Sequence, residues 1–255
     1  MDKRLTFNED ASNYDKWRPT YCEELFEDIF QYSGLSKGKN ALEVGIGTGK
    51  ATTPFLNAGY NVTAVELGNN LAQFSKEKFK EYKNFNIYNT SFEAFQCEDN
   101  SIDILYSATA FHWIAEDIGY PKVLRLLKDN GTIALFWNKP SPADEDYSLH
   151  LEIQKIYEKY WPATDKLLES NSERYKRISE TIKAHGFKDL EVKLYHKIRK
   201  FSAEEYICLL NTYSDHRTML QPTKQLFENE IKDTIKRNGD LFNIHDTIEL
   251  YLARK

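Results

Sequence analysis

Short apolar runs alternate with amphipathic stretches along the first half of the chain, and the spacing of their apolar positions sets the expected elements. In "YCEELFEDIFQY", Tyr21 to Tyr32, apolar residues recur at helical spacing, and Gly34 with the "SKGKN" turn ends the segment. "ALEV" (41–44) reads as a short buried strand. Thr48 to Ala58 reads as a helix that tolerates Pro54 only near its first turn. "NVTAVEL" is a β-branched strand, and "NNLAQFSKEKFKEY" is a helix opened by Asn69 or Asn70 as cap. "FNIYNT" and "SIDILYSAT" are strands. A loop through His112 and Trp113 leads into a helix over Ile118 to Leu127, with Pro121 in its early part. "GTIALFW" is a fifth strand. Such alternation predicts βαβ units and a mainly parallel sheet.

After Trp137 the rhythm changes. "NKPSPADED" reads as a loop. Tyr147 to Tyr160 and Ser172 to His185 have helical spacing, and "FKDLEVKLYHKIRKF" alternates as a strand. Helical patterns return at Ala203 to Thr212 and Thr223 to Arg237, and "TIELYLAR" closes the chain as a strand. No repeat, low-complexity tract or linker interrupts this order. A single domain over 1–255 is expected, with a core at 36–138. Helical inserts at 139–185 and 202–240 are expected over one end of the sheet.

The 255 residues suffice for one large α/β domain. A net charge of -5 lowers the expectation of a nucleic-acid partner without excluding a local basic patch. The three cysteines, Cys22, Cys97 and Cys208, are far apart and form no CxxC, which fits a reducing compartment. The first residues are polar and carry no apolar signal core, and no run approaches the length of a membrane helix. A cytoplasmic protein without membrane attachment is expected.

The chemistry concentrates in "NALEVGIGTGK", where Gly45, Gly47 and Gly49 alternate. Three nucleotide sites use such a strand–loop–helix turn. A Walker-type phosphate loop needs a first glycine where Val44 stands and a hydroxyl where Ala51 stands, so Gly49-Lys50 does not complete it. A dinucleotide fingerprint is met at Gly45 and Gly47, but its third glycine is Lys50. The S-adenosylmethionine loop of class I methyltransferases has an acid two residues before GxGxG, and Glu43 is that acid. This cofactor carries an ammonium, a carboxylate and a sulfonium, and no pyrophosphate, so the helix N-terminus need not hold a dianion. A glycine turn without a ligand is the plain alternative.

Further along, the chain resembles class I S-adenosylmethionine-dependent methyltransferases. More narrowly, it resembles the branch that includes trans-aconitate methyltransferases and relatives of the ubiquinone/menaquinone C-methyltransferases. "LEVGIGTG" resembles the first motif of that family and "VTAVELG" the second. "SFEAFQCEDNSIDILYSATAFHWI" resembles its adenine-binding turn with the fourth strand. "VLRLLKDNGTIALFWN" resembles the following helix–turn–strand, with Asp129 and Asn130 in place of Pro-Gly. "IELYLAR" resembles the closing strand.

The resemblance implies a Rossmann-like α/β fold with seven strands in the order 3-2-1-4-5-7-6. The sheet would be mostly parallel with an antiparallel last strand, with helices on both faces and helical lid inserts. It implies S-adenosyl-L-methionine as cofactor, with S-adenosyl-L-homocysteine as product and no metal. Tyr14 and Arg18 match positions that reach the methionine end, and their four-residue spacing would let one helical face present both. Glu66 would grip the ribose, with Leu67 against the adenine. Ser91, Phe92 and Glu93 match the adenine turn, and Ala108 and Thr109 the strand end beside the reactive sulfur. Asp103 matches a structural acid.

Beside that end, His112 can serve as general base, orient a substrate carboxylate or cap a loop. Trp113 is its neighbour on the acceptor side. His216 and Arg217, in "TYSDHRTML", are candidate polar groups of an acceptor site. Tyr157, Tyr206 and Tyr213 belong to the core or to that site. No HExxH or GxSxG occurs. The Asn-Pro-Pro-Tyr of many N-methylating enzymes is absent, which points to O- or C-methylation of a small molecule: a carboxylate first, a phenolic metabolite second. A nicotinamide-dependent oxidoreductase, a nonenzymatic cofactor-binding protein of the same fold and an RNA methyltransferase are the competing readings. Oligomeric state is not encoded in these features.

Overall fold

In the computed structural model, which describes residues 10–34, 37–141, 147–161 and 169–255, apolar side chains on successive strand positions fall on opposite sides of one sheet. Leu42 and Val44 join one core cluster and Ala41 the other. Ile133, Leu135 and Trp137 separate in the same way from Ala134 and Phe136. This period of two is the strand periodicity itself.

The elements in chain order are α1 (Ala11–Trp17), α2 (Glu23–Ser33), β1 (Asn40–Val44), α3 (Thr52–Asn57), β2 (Asn61–Glu66), α4 (Asn69–Lys78), β3 (Phe85–Asn89) and β4 (Ile102–Ala108). Then come α5 (Glu116–Leu126), β5 (Leu127–Ser141), α6 (Tyr147–Tyr160), α7 (Asn171–Ala184), β6 (Lys188–Phe201), α8 (Ala203–Leu210), α9 (Ser214–Arg217), α10 (Thr223–Arg237) and β7 (Phe242–Arg254). The sheet order is β3-β2-β1-β4-β5-β7-β6. All neighbours among β1 to β5 are parallel, whereas β7 runs antiparallel to both β5 and β6. This is the seven-stranded Rossmann-like arrangement expected from the sequence. Among the described residues no helix is long and apolar enough to cross a membrane.

On one face, α5 contributes Tyr120, Val123 and Leu126, and α7 contributes Ile178 and Ile182. On the other, α2 contributes Leu25, Phe26 and Ile29, and α3 contributes Phe55 and Leu56. A third cluster joins α6, α8 and α10 through Ile153, Ile156, Leu209, Phe227 and Ile231. The segment 139–185 therefore divides. Its helix α6 enters the separate helical cluster, while α7 seals the sheet.

Two elements differ from their sequence expectation. Tyr14 and Arg18 do not share a helix: α1 stops at Trp17, and Arg18 is extended at ψ 147°, as a residue before a proline prefers. The arginine still returns over the Tyr14 ring, 5.0 Å from its centroid. The expected loop at Asn138 is strand as far as Ser141, because Lys139, Pro140 and Ser141 pair with Thr247, Asp246 and His245. The rest of that loop, 142–146, lies outside the described residues.

Candidate active site

At the carboxyl ends of β1, β2 and β4 lies a cleft of about 470 Å³, where ligands of open α/β sheets bind. Tyr14, Arg18, Gly45, Gly47, Glu66, Leu67, Ser91, Phe92, Glu93, Ala108, Thr109, His112 and Trp113 all line it. The fold thus brings together residues drawn from almost a hundred positions of sequence. Val44, Val65, Leu71 and Ile114 add apolar wall, and Thr90, Ala110, Tyr213 and Asp215 complete it.

Glu66 organises the glycine loop. Its Oε2 accepts from the Gly47 N–H at 2.9 Å and its Oε1 from the Gly68 N–H at 2.8 Å. Burial raises its pKa, and the N–H groups of Gly68, Gly47 and Leu67 oppose that rise. Asn89 fixes the strand end by donating to the carbonyls of Glu66 and Leu67 at 2.8 and 3.0 Å. Gly45 is left-handed at φ +73°, and a Cβ there would stand 2.4 Å from the Ala110 Cβ. Only glycine permits that turn.

Two expectations about the loop change, at Glu43 and Gly49. Glu43 does not line the cleft. It lies on the α2/α3 face with Ala41, fully buried, and its Oε2 accepts from Thr52 Oγ1 at 2.6 Å and the Tyr106 hydroxyl at 2.8 Å. Gly49 is a packing position: a Cβ there would meet the Phe79 ring at 2.2 Å. Lys50 bonds the Asp15 carbonyl and stands 3.8 Å from its carboxylate. Lys78 joins Asp15 at 3.0 Å and the Thr48 carbonyl at 2.9 Å. Both lysines thereby fasten α1 over the glycine loop.

Burial pushes the Glu43 carboxyl up to about 8, against the hydrogen bonds from Thr52 and Tyr106. The folded chain then holds a proton that the unfolded chain releases above 4.5. This stabilisation is complete below that value and is lost as pH rises toward about 8, at up to about 1.4 kcal/mol per pH unit. Glu43→Gln should lack this slope and be more stable than the parent at pH 8. Urea melts from pH 5 to 8 would check it, and parallel slopes for the two proteins would refute the assignment.

At the β4 end, Thr109 is left-handed at φ +56°. Its Oγ1 bonds the Tyr21 hydroxyl at 2.9 Å and accepts from the Asn138 N–H at 3.3 Å. Next to it, Trp137 Nε1 donates to His112 Nδ1 at 3.0 Å. Indole nitrogen only donates, so the neutral imidazole carries its hydrogen on Nε2. Burial, then the charges of Arg174 and Lys139, hold the His112 pKa down to about 4. At neutral pH the ring is therefore uncharged, with Nδ1 occupied by Trp137 and an N–H donor on Nε2.

His216 and Arg217 do not line the cleft. His216 faces a second cavity of about 440 Å³ between the helical cluster and the β5–β7 ends, and Tyr213 and Asp215 form the wall common to both. Asp103 is structural, accepting from the Asn40 N–H at 2.9 Å and Lys128 at 2.8 Å. Sequence reasoning missed Tyr21, Asp215 and Lys122. Lys122 is buried under the turn at 91–95 and donates to the carbonyls of Phe92 (2.6 Å), Glu93 (3.1 Å) and Phe95. A lysine amid the apolar positions of "YPKVLRLL" is the one signal that could have found it.

Residues 42–135 match the family of methyltransferase domains. Over 232 residues the chain is 26% identical to an uncharacterized methyltransferase of Schizosaccharomyces pombe, covering 91% of this chain and 87% of that one. It is 27% identical to a ubiquinone/menaquinone biosynthesis C-methyltransferase of Pseudoalteromonas translucida, over 62% of this chain and 64% of the relative. Among solved structures it resembles Haemonchus contortus phosphoethanolamine N-methyltransferase 2, bound to S-adenosylhomocysteine, with a TM-score of 0.58 at 16% identity. That match covers 100% of this chain, which spans only 60% of the solved one. At such identity the likeness is one of fold.

Proposed function

We propose that this chain, which is a class I S-adenosylmethionine-dependent methyltransferase, delivers the methyl group to a small-molecule acceptor held beside the cleft at the β4 end. The observation that carries the reading is the glycine loop closed on the Glu66 carboxylate, with cleft-lining residues at its two ends suited to different parts of one cofactor. S-adenosylmethionine supplies an activated methyl on a sulfonium.

The residues fit that molecule. Glu66 stands where a ribose diol would exchange its hydroxyls for the loop N–H groups. Leu67, Leu71, Phe92 and Ile114 give an apolar slot for a purine, with Ser91 and Glu93 at its polar edge. Tyr14 and Arg18 face the opposite end, where Arg18 suits a carboxylate. Arg18 is held by a 2.8 Å bond to the Thr212 carbonyl and by the Tyr213 ring, 4.1 Å away. Ala108 and Thr109 lie between these ends. His112 Nε2–H can orient an acceptor oxygen, and alignment with exclusion of water is the chain's main contribution. The acceptor classes are a carboxylate, or a phenol methylated on oxygen or carbon.

Methyl-labelled S-adenosylmethionine incubated with phenols and carboxylic acids should label at least one class. Calorimetry should detect cofactor binding and no NADH binding. NADH binding in place of S-adenosylmethionine would transfer the cleft to an oxidoreductase, and binding without turnover would favour a nonenzymatic role.

Lys122→Met gives a second check. It keeps the apolar stem and strips three carbonyls of their donor. The adenine turn should loosen, and cofactor affinity should fall by about tenfold, or about 1.4 kcal/mol. Unchanged affinity by calorimetry would show that the turn holds its shape without the lysine.

A further inference from the structure

The second cavity is a built site that the cofactor reading does not use. Its walls are Tyr157, Tyr206, Tyr213, His216 and Phe242, and His150, Gln154 and Asn243 supply neutral polar groups. Its volume, about 440 Å³, is in the range of small-molecule sites. Tyr213 and Asp215 border the cofactor cleft on their other side, so a molecule in the cavity has one edge at the methyl-transfer end.

The charge of the lining decides what fits. Asp215 is the one charged side chain among the described residues that line the cavity, and no lysine or arginine is among them. Burial lowers the pKa of both His216 and His150, so both rings are neutral near pH 7. Arg199, whose field reaches Tyr206, is tied to the Asp246 carboxylate by its Nε and Nη2. A carboxylate entering the cavity would lose its water and meet Asp215, while the nearest cations stand behind the lining: Arg18 over the Tyr213 ring at 4.1 Å, and Lys224, whose charge reaches His216, paired with Glu228 at 3.9 Å. A flat ring bearing a hydroxyl meets neither penalty. The rings of Tyr157, Tyr206, Tyr213 and Phe242 offer it stacking and edge contacts, and a carboxylate acceptor stands at the junction for its O–H.

We infer that this cavity is the acceptor site, that it selects an uncharged hydroxylated aromatic ring over a carboxylic acid, and that Asp215 is the residue that turns the hydroxyl toward the cofactor cleft. The inference rests on the methyltransferase reading and chooses between its two acceptor classes.

The test uses the full chain and three probes that share one ring: 2-naphthol, 2-naphthoate and the 2-naphthylmethylammonium cation. Binding is followed by probe fluorescence, and S-adenosylhomocysteine binding separately by calorimetry. 2-Naphthol should bind at least about tenfold more tightly than 2-naphthoate, and no more weakly than the cation. Gln154→Trp, a change at an exposed rim position of α6, should weaken 2-naphthol about tenfold and leave S-adenosylhomocysteine binding unchanged. Asp215→Asn should narrow the gap between 2-naphthol and 2-naphthoate. Tighter binding of 2-naphthoate or the cation, or 2-naphthol binding indifferent to Gln154→Trp, would overturn the inference. Failure of S-adenosylhomocysteine to bind would instead overturn the methyltransferase premise, because the probe titrations report the cavity independently.

Discussion

Glu66→Ala should lower the affinity for S-adenosylmethionine about a hundredfold while leaving the chain folded. Two effects combine. The substitution deletes the carboxylate proposed to meet the ribose, and charge-assisted hydrogen bonds of this kind contribute about 1.5–3 kcal/mol. It also releases the N–H groups of Gly47 and Gly68, which Glu66 holds at 2.9 and 2.8 Å, so the loop is no longer shaped before the cofactor arrives. Glu66→Gln keeps the length and one acceptor oxygen, and should fall between the two. Stability should suffer less than affinity, because the Gly47 N–H borders the open cleft and can turn to water, whereas the buried Gly68 N–H alone loses its partner. Calorimetry on the three proteins, with thermal melts alongside, separates these terms. A Glu66→Ala protein with parental affinity would remove the acid from the cofactor site.

The largest loss of stability is expected from Asp246→Ala, at about 3–5 kcal/mol. Asp246 is 2% exposed, and it receives Arg199 through two nitrogens and the Asn138 amide at 2.8 Å. Removing it alone leaves the Arg199 guanidinium buried without its counter-charge. The double change Arg199→Met with Asp246→Leu should recover most of the loss, since apolar replacements of both partners leave no stranded charge. A denaturant-based double-mutant cycle measures this directly. A single-variant cost below about 1 kcal/mol would mean that the pair is solvated. The same variant should also slow methyl transfer in the fraction that folds. Asn138, which Asp246 anchors, donates its backbone N–H to Thr109 Oγ1 at 3.3 Å, at the end of β4.

The cofactor edge of this protein was legible in the chain. Strands that alternate with helices must be joined by crossovers, so the ends of β1, β2 and β4 come to one side of the sheet whatever packs around them. Gly45, Glu66, Ser91 and Thr109 therefore share a cleft by topology. What local pattern could not reach was direction and long-range pairing. Glu43 carries the sequence position of a cofactor-facing acid, but strand alternation and the hydroxyls of Thr52 and Tyr106 bury it beneath the sheet. Gly49 answers to the Phe79 ring and Lys50 to Asp15, partners invisible from their neighbours in sequence. The polar stretch at Asn138–Ser141 has the composition of a loop, yet it is strand because β7 supplies a ladder more than a hundred residues away. In "YSDHR" it is Asp215, not Arg217, that meets the cleft, a choice made by the single turn of α9 and its packing on Tyr157 and Phe227. The sequence by itself determined the alternation of strands with helices and the sheet edge on which the glycine loop and Glu66 meet, because periodicity is local and parallel strands end on one side, whereas the strand order was implied only by the family resemblance. Only the tertiary structure decided which polar groups face the ligand and which are buried as supports, because that depends on partners brought together by the completed sheet.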